Sequence, residues 1–286
     1  MKKFNKIYVE ITNYCNLNCS FCSKDKRNKR EMNVLEFNEV VNKIKDYTKT
    51  IYLHLKGEPL LHSKLDEILA ICDKNNINVK ITTNGTLLKS KLNILKKHHI
   101  KQINISLHSE NNYPNYFEDV FNSCDELSKN TTIVYRIWVL SNLCLDKIST
   151  MIVEKITNHY KLSTILVDKI KFDKNVKIMD NIYLDKDNEF IWPNEGIDID
   201  DDKGYCLGTK SHIGILSDGT VVPCCLDSDG IINLGNIFES DLNTIINSDK
   251  FKLINEGFSN NKVICDLCKK CNYLKIFKKM HNKCAK

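Results

Sequence analysis

The sequence predicts an α/β chain: a partial, TIM-like (β/α)6 barrel followed by a small cysteine-rich domain with a β-hairpin and short helices. Three observations carry that prediction. Over the first ~170 residues, strand-period and helix-period hydrophobic patterns alternate, as they do where crossover helices join parallel strands. The alternation runs through six steps, too few for a complete eight-stranded barrel. Seven of the 13 cysteines fall from Cys206 to Cys284, beyond the alternating region. A doubly wound open sheet is the alternative, and both architectures place chemistry at the carboxyl ends of strands.

The elements follow in order from the same two periods. Ile7 to Thr12 alternates as a strand, and Val34 to Tyr47 carries an amphipathic helical stripe. Ile51 to Leu55 reads as a strand, Leu65 to Cys72 as a helix and Val79 to Thr82 as a strand. Leu88 to Lys97 is helical, Ile103 to Leu107 a strand, Tyr116 to Leu127 helical and Ile133 to Leu140 a strand. Lys147 to Tyr160 is the next helix, and Ile165 to Phe172 is read as the sixth strand. From Asp173 to Lys203 the pattern dissolves into an acidic stretch. The expected organisation is therefore a barrel over 1–172, an acidic connector over 173–203 and a cysteine-bearing unit over 204–286.

Composition narrows the class. Hydrophobic residues make up 42% and charged residues 27% of the 286 residues, with only 10 Gly and 4 Pro, which excludes collagen-like and strongly disordered chains. No apolar run approaches the ~18 residues of a membrane span, and no signal peptide is evident, so a cytoplasmic protein without a membrane partner is expected. The net charge of +6 is too mild to mark a nucleic-acid binder by itself, although Lys24 to Arg30 and Lys269 to Lys286 are locally basic. Without an export signal, 13 cysteines point to metal rather than disulfides. Cys72, Cys124 and Cys144 stand alone and fit as small buried hydrophobes.

Cys15, Cys19 and Cys22 follow the first strand directly, on a loop where such folds carry reactive groups. Three thiolates are one short of a closed zinc site or an ordinary iron-sulfur cluster, which leaves a coordination position open. Alternatively the three form an apolar helix face, or a zinc site completed by His or a remote Cys. This C-x3-C-x-aromatic-C stretch resembles the signature of the radical S-adenosylmethionine superfamily. The resemblance implies that the three cysteines hold a [4Fe-4S] cluster, that S-adenosylmethionine binds its open iron and that Phe21 lies against the adenine.

The resemblance continues at later strand ends. Lys56-Gly57-Glu58-Pro59 is similar to the family's Gly-Gly-Glu-Pro segment, whose backbone contacts the methionine amino group, with Lys56 in place of the first Gly. Gly57 permits close approach of main chain, and Pro59 stiffens the turn. Thr83 and Asn84 end the third strand and Ser106 the fourth, again where the family places cofactor-facing residues. Ser106 is the candidate for the ribose hydroxyls, and Arg136 or Asn142 for the methionine carboxylate. His108 reads as an ordinary hydrogen-bonding residue lining the cavity.

In the tail, Asp218-Gly219 is a hairpin turn, so Cys224 ends a returning strand opposite the segment after Cys206. With Cys265-x2-Cys268-x2-Cys271 this is a metal-clamp layout that suits zinc or iron-sulfur equally. The run resembles the SPASM, or shortened twitch, extension of radical S-adenosylmethionine enzymes. On that resemblance Cys206, Cys224, Cys268 and Cys271 hold one auxiliary [4Fe-4S] cluster, and Cys225, Cys265 and Cys284 are surplus.

The activity implied is that of a radical oxidoreductase. Electrons arrive from a reductant such as ferredoxin or flavodoxin, S-adenosylmethionine is cleaved reductively to a 5′-deoxyadenosyl radical, and the radical takes hydrogen from substrate. SPASM-bearing relatives mostly modify peptides or proteins by crosslinking, epimerisation or oxidation, so a peptide is the leading substrate. Only fourteen residues precede Cys15, so leader recognition is expected to fall to another surface or a separate protein. For epimerisation Cys225 is the candidate hydrogen donor; otherwise it packs beside Cys224. A small-molecule dehydrogenase, an RNA-modifying radical enzyme and a non-catalytic metal or electron-transfer module are the alternatives.

Overall fold

Four short parallel or hairpin strands and the helix that covers them build the first part of the computed structural model, which describes residues 3–23, 26–108, 113–139, 145–188, 192–193 and 202–274. The chain divides into two compact units: Met1–Gly57, Lys74–Ile77 and Phe190–Lys286 in one, Glu58–Asp73 and Asn78–Glu189 in the other.

In the first unit, β1 (Lys6–Val9) runs parallel to β2 (Thr50–Tyr52), with Ile7 opposite Ile51. Between them lies α1 (Val34–Ile44), which buries Phe37, Val40, Val41 and Ile44, a single stripe at i, i+3, i+4 and i+7. Its start is a capping box: Asn33 accepts from the Glu36 N–H, the Glu36 carboxylate accepts from the Asn33 N–H, and Arg30 grips both Glu36 oxygens at 2.7 and 2.8 Å.

The second unit opens with the 3-10 turn Pro59–Leu61 and α2 (Leu65–Lys74). It continues through β3 (Asn78–Thr83), α3 (Leu88–Lys97), β4 (Ile100–Ser106), α4 (Tyr116–Leu127) and β5 (Thr132–Val139). β3, β4 and β5 pair in parallel, in sequence order. This is the α/β, strand-then-helix fold class that the hydrophobic periods predict. Cys72 and Cys124 are buried, as expected of lone cysteines.

The sixth strand lies elsewhere than the sequence suggests. After α5 (Lys147–Tyr160), residues Thr164–Phe172 form helix α6, capped by the Ser163 side chain on the Leu166 N–H. Its apolar residues do not form a buried strand face: Ile165 is 71% and Phe172 81% exposed, and within the helix only Ile170 is buried. The acidic stretch read as a connector instead carries a hairpin, β6 (Asn175–Met179) and β7 (Ile182–Asn188), and β7 pairs parallel to β5 with Arg136 opposite Asp185. The charges of Leu-Asp-Lys-Asp-Asn disguise this strand, because Lys186 faces inward, where it donates to the Lys171 carbonyl at 2.8 Å.

The chain then returns to the first unit. β8 (His212–Ile215) pairs parallel with β1, and β9 (Val221–Val222) returns antiparallel to β8 through the predicted Asp218-Gly219 turn. Gly219, at φ +86°, has no room for a Cβ, which would sit 2.4 Å from Asn236 Oδ1. Helices α7 (Leu242–Asn247), α8 (Asp249–Ser259) and α9 (Asp266–Lys269) complete the described residues. Among these no helix is long and apolar enough to cross a membrane.

Candidate active site

The cysteine loop begins where β1 stops. Its first residues are anchored by a returning segment: Met32 N–H donates to the Ile11 carbonyl at 2.8 Å, Arg30 N–H to Asn13 Oδ1 at 2.8 Å, and Asn13 Nδ2 to the Asn28 carbonyl at 2.9 Å. Glu10 is fully buried beneath, where Oε2 accepts from Arg27 at 2.8 Å and from the Lys56 N–H at 3.2 Å, while Oε1 accepts from the Ser217 N–H and hydroxyl. Arg27 and Arg30 of the basic loop thus face carboxylates of their own chain.

Beyond this anchor the loop is open. Cys15 and Cys22 are exposed, Cys19 is half-buried, and the Cys22 N–H turns back to the Cys19 carbonyl at 3.1 Å. Burial raises the Cys19 thiol, and Cys15 and Cys22 raise it further by repulsion between like charges. A cationic centre bound by the three sulfurs would relieve that repulsion. Gly57 packs on the same segment at φ +75°, and a Cβ there would lie 2.4 Å from the Thr12 carbonyl oxygen and 2.8 Å from that of Tyr14. Only glycine brings the main chain so near.

Glu58 behaves differently from a ligand-facing carboxylate. It is buried and accepts from the Leu60 N–H at 3.0 Å, the Thr83 hydroxyl at 2.7 Å and the Asn84 N–H at 2.8 Å. Burial pushes its carboxyl up to about 7 against the pull of those three donors. Glu58 therefore ties the Pro59 turn to the end of β3 and holds Thr83 and Asn84 in place. Asn84 Oδ1 in turn accepts from the Thr86 N–H and hydroxyl, and Tyr116 donates to the Asn84 carbonyl at 2.8 Å.

Ser106, Arg136 and Asp185 lie side by side on β4, β5 and β7, in register and on one face. The Arg136 guanidinium sits 4.7 Å from the Trp138 ring centroid. Burial raises the Asp185 carboxyl, Arg136 and Lys174 oppose the rise, and its buried Oδ1 has no hydrogen-bond partner among the described residues. Asp185 carries no signal in the sequence because the charges of β7 hide its strand. His108 accepts from the Trp138 N–H at 2.9 Å, and burial lowers its imidazole to about 4. Asn142 lies outside the described residues.

The tail gathers six cysteines, two more than the four proposed ligands. Cys224 is raised well above the ordinary thiol range by burial and then by Cys225, Cys206 and Cys271, and Cys268 feels Cys265, Cys224 and Cys206. Main-chain donors point at the sulfurs: Gly208 N–H to Cys206 at 3.3 Å, Leu226 to Cys224, and Tyr273 and Leu274 to Cys271. Cys265 is the exception, lowered chiefly by a hydrogen bond from Cys268. Cys225 packs against Tyr8, Leu55, Leu216 and Val222 and shares a hydrogen bond with the Tyr8 hydroxyl. Cys284 lies outside the described residues.

Among the described residues no three His, Cys, Asp or Glu side chains converge closely enough to share one bare ion. An iron-sulfur cube asks for something else, since each thiolate binds a different corner iron. Clustered thiols, N–H donors aimed at sulfur and the glycine cradle at Gly57 all suit such a group.

Comparison with known proteins agrees. Residues 9–152 match the radical SAM superfamily and residues 206–272 match SPASM, an iron-sulfur cluster-binding domain. Among curated relatives, a GTP 3′,8-cyclase of Clostridium botulinum (strain Okra / Type B1) is 21% identical over 277 residues, covering 84% of this chain and 86% of that one. Among solved structures, BtrN in complex with AdoMet and 2-DOIA aligns with TM-score 0.63 at 22% identity, over 95% of this chain and 94% of that one. Streptococcus suis SuiB bound to precursor peptide SuiA aligns with TM-score 0.64 at 17% identity, over 95% and 71% respectively.

Proposed function

We propose the reaction from one premise: this chain belongs to the radical SAM superfamily and carries a SPASM domain, and with them a [4Fe-4S] cluster, S-adenosylmethionine and auxiliary iron-sulfur chemistry. It is an enzyme. The chemistry supplied by the bound groups is one-electron cleavage of the sulfonium, fed by a small electron carrier, followed by abstraction of a hydrogen atom from an unactivated carbon.

The chain's own residues bind, orient and exclude water. Cys15, Cys19 and Cys22 would hold the cluster, leaving one iron for the cofactor. The main chain at Gly57, with Pro59 stiffening the turn, would meet the methionine amino group, while Glu58 acts by holding Thr83 and Asn84. Ser106 and Arg136, neighbours in register on β4 and β5, would take the ribose and the carboxylate, and Phe21 would lie against the adenine. Cys206, Cys224, Cys268 and Cys271 would hold one auxiliary cluster, with main-chain N–H groups tuning the sulfurs. Cys225 is assigned as packing partner of Tyr8 and as the hydrogen donor should the reaction be an epimerisation.

The observation that carries this reading is the three-cysteine loop, in which each flanking thiol raises Cys19. The substrate proposed is a peptide or protein, supported by the likeness to SuiB with its precursor peptide. A small-molecule substrate is the second reading, favoured by the match to GTP 3′,8-cyclase along nearly the whole chain and by the likeness to BtrN. Anaerobic protein loaded with iron and sulfide, then given dithionite and S-adenosylmethionine, should form 5′-deoxyadenosine. Cys19→Ala should form none, and unchanged product from it would end the proposal. A mass change in a precursor peptide encoded beside the chain would support the peptide reading; consumption of GTP with no change in the peptide would replace it.

A further inference from the structure

The two carbonyls that bracket Cys22 are both held from outside the loop. Trp192 Nε1 donates to the Phe21 carbonyl at 3.0 Å, and Lys56 Nζ donates to the Ser23 carbonyl. The two donors are themselves joined, because the Lys56 ammonium lies 5.2 Å from the centroid of the Trp192 ring. Lys56 is only 6% exposed. Its N–H is fixed by Glu10, but the Glu10 carboxylate faces the Arg27 guanidinium at 2.8 Å. The Lys56 ammonium is thus satisfied by a carbonyl and a ring face and, among the described residues, is paired with no carboxylate.

A buried ammonium without a counter-charge is costly, and the cost falls away if an anionic group sits nearby. A [4Fe-4S] core on three thiolates is such a group, and its negative charge grows on reduction. Net charge and hydrogen bonding around the sulfurs are among the terms that set a cluster's potential. The family segment that Lys56-Gly57-Glu58-Pro59 resembles has glycine at the first position, so neither this clamp nor this charge belongs to the motif.

We propose that Lys56 is a positioning residue which, with Trp192, fixes the Cys22 end of the cysteine loop and supplies the buried positive charge that favours the reduced cluster. The proposal rests on the assignment of Cys15, Cys19 and Cys22 to that cluster.

The test is an anaerobic redox titration of the full-length, cluster-loaded protein, followed by electron paramagnetic resonance in the signal that S-adenosylmethionine alters. Lys56→Met should make reduction about tenfold less favourable, a midpoint about 59 mV more negative for a one-electron couple. Lys56→Arg should stay within about threefold of wild type, and the auxiliary signal should not move in either. A Lys56→Met protein titrating within threefold of wild type would overturn the proposal, as would a Lys56→Arg shift as large as that of Lys56→Met. If Lys56→Met holds no responsive cluster, Lys56→Gly takes its place under the same criteria. Loss of the cluster from both uncharged variants but not from Lys56→Arg supports the charge; loss from all three means packing alone and overturns it. Wild-type protein without any responsive signal refutes the cluster assignment instead, a separate result.

Discussion

Replacing Glu58 by glutamine should change how stability depends on pH. The carboxyl moves from its ordinary 4.5 to about 7 because burial removes it from water more than the Leu60, Thr83 and Asn84 donors compensate. Between those two values the folded protein keeps a proton that the unfolded chain releases. The resulting stabilisation is fully present below pH 4.5, is lost as pH rises towards 7 and stays lost above it. At about 1.36 kcal/mol for each pH unit, the interval amounts to about 3 kcal/mol. In a chain of this size that is roughly 5 °C in melting temperature. Glu58→Gln has no such titration, and its amide also presents an N–H to one of three donors, leaving that donor unsatisfied. Thermal unfolding of the loaded wild type and Glu58→Gln under argon, between pH 4.5 and 8, measures the difference directly. Wild type should lose ground to the variant by about 3 kcal/mol as pH rises to 7, then run parallel to it. Curves that stay parallel across the whole range would show that Glu58 is not a desolvated carboxyl, and the account of the Pro59 turn would fall.

Three further outcomes follow from contacts in the first unit and the tail. Gly57→Ala places a Cβ 2.4 Å from the Thr12 carbonyl in a left-handed conformation that alone costs about 1–2 kcal/mol, so residues 12–14 must shift and S-adenosylmethionine affinity, read by calorimetry, should fall at least tenfold. Glu10→Gln removes the buried carboxylate that faces the Arg27 guanidinium, whose side chain is 13% exposed, and should cost about 3–5 kcal/mol in denaturant unfolding. Iron counting on a Cys15→Ala, Cys19→Ala, Cys22→Ala protein should leave about four irons per chain, the content of a single cube in the tail; near-total loss would count against an independent auxiliary site.

Much of the site is legible because its chemistry is local in sequence. Cys15, Cys19 and Cys22 share one loop, and Asp218-Gly219 is a turn that any context would accept. The fold class is legible for a related reason: strands and helices with one buried face advertise themselves by period. Where burial and polarity part company the reading fails. Helix α6 shows apolar residues to solvent and β7 buries Lys186, so hydrophobicity along the chain does not report where either element's side chains go.

The amino-acid order by itself determined the superfamily, the two groups of cysteines and the strand ends proposed to carry the cofactor residues. Only the tertiary structure decided what those residues touch. It turned Glu58 inward onto Thr83 and Asn84, paired Arg136 with Asp185 across neighbouring strands, and brought Lys56 and Trp192 to either side of Cys22. The reason is physical: hydrophobic period and turn chemistry act over a few residues. The partner of a buried charge is chosen instead by whatever distant segment packs against it, and that choice leaves no periodic mark along the chain.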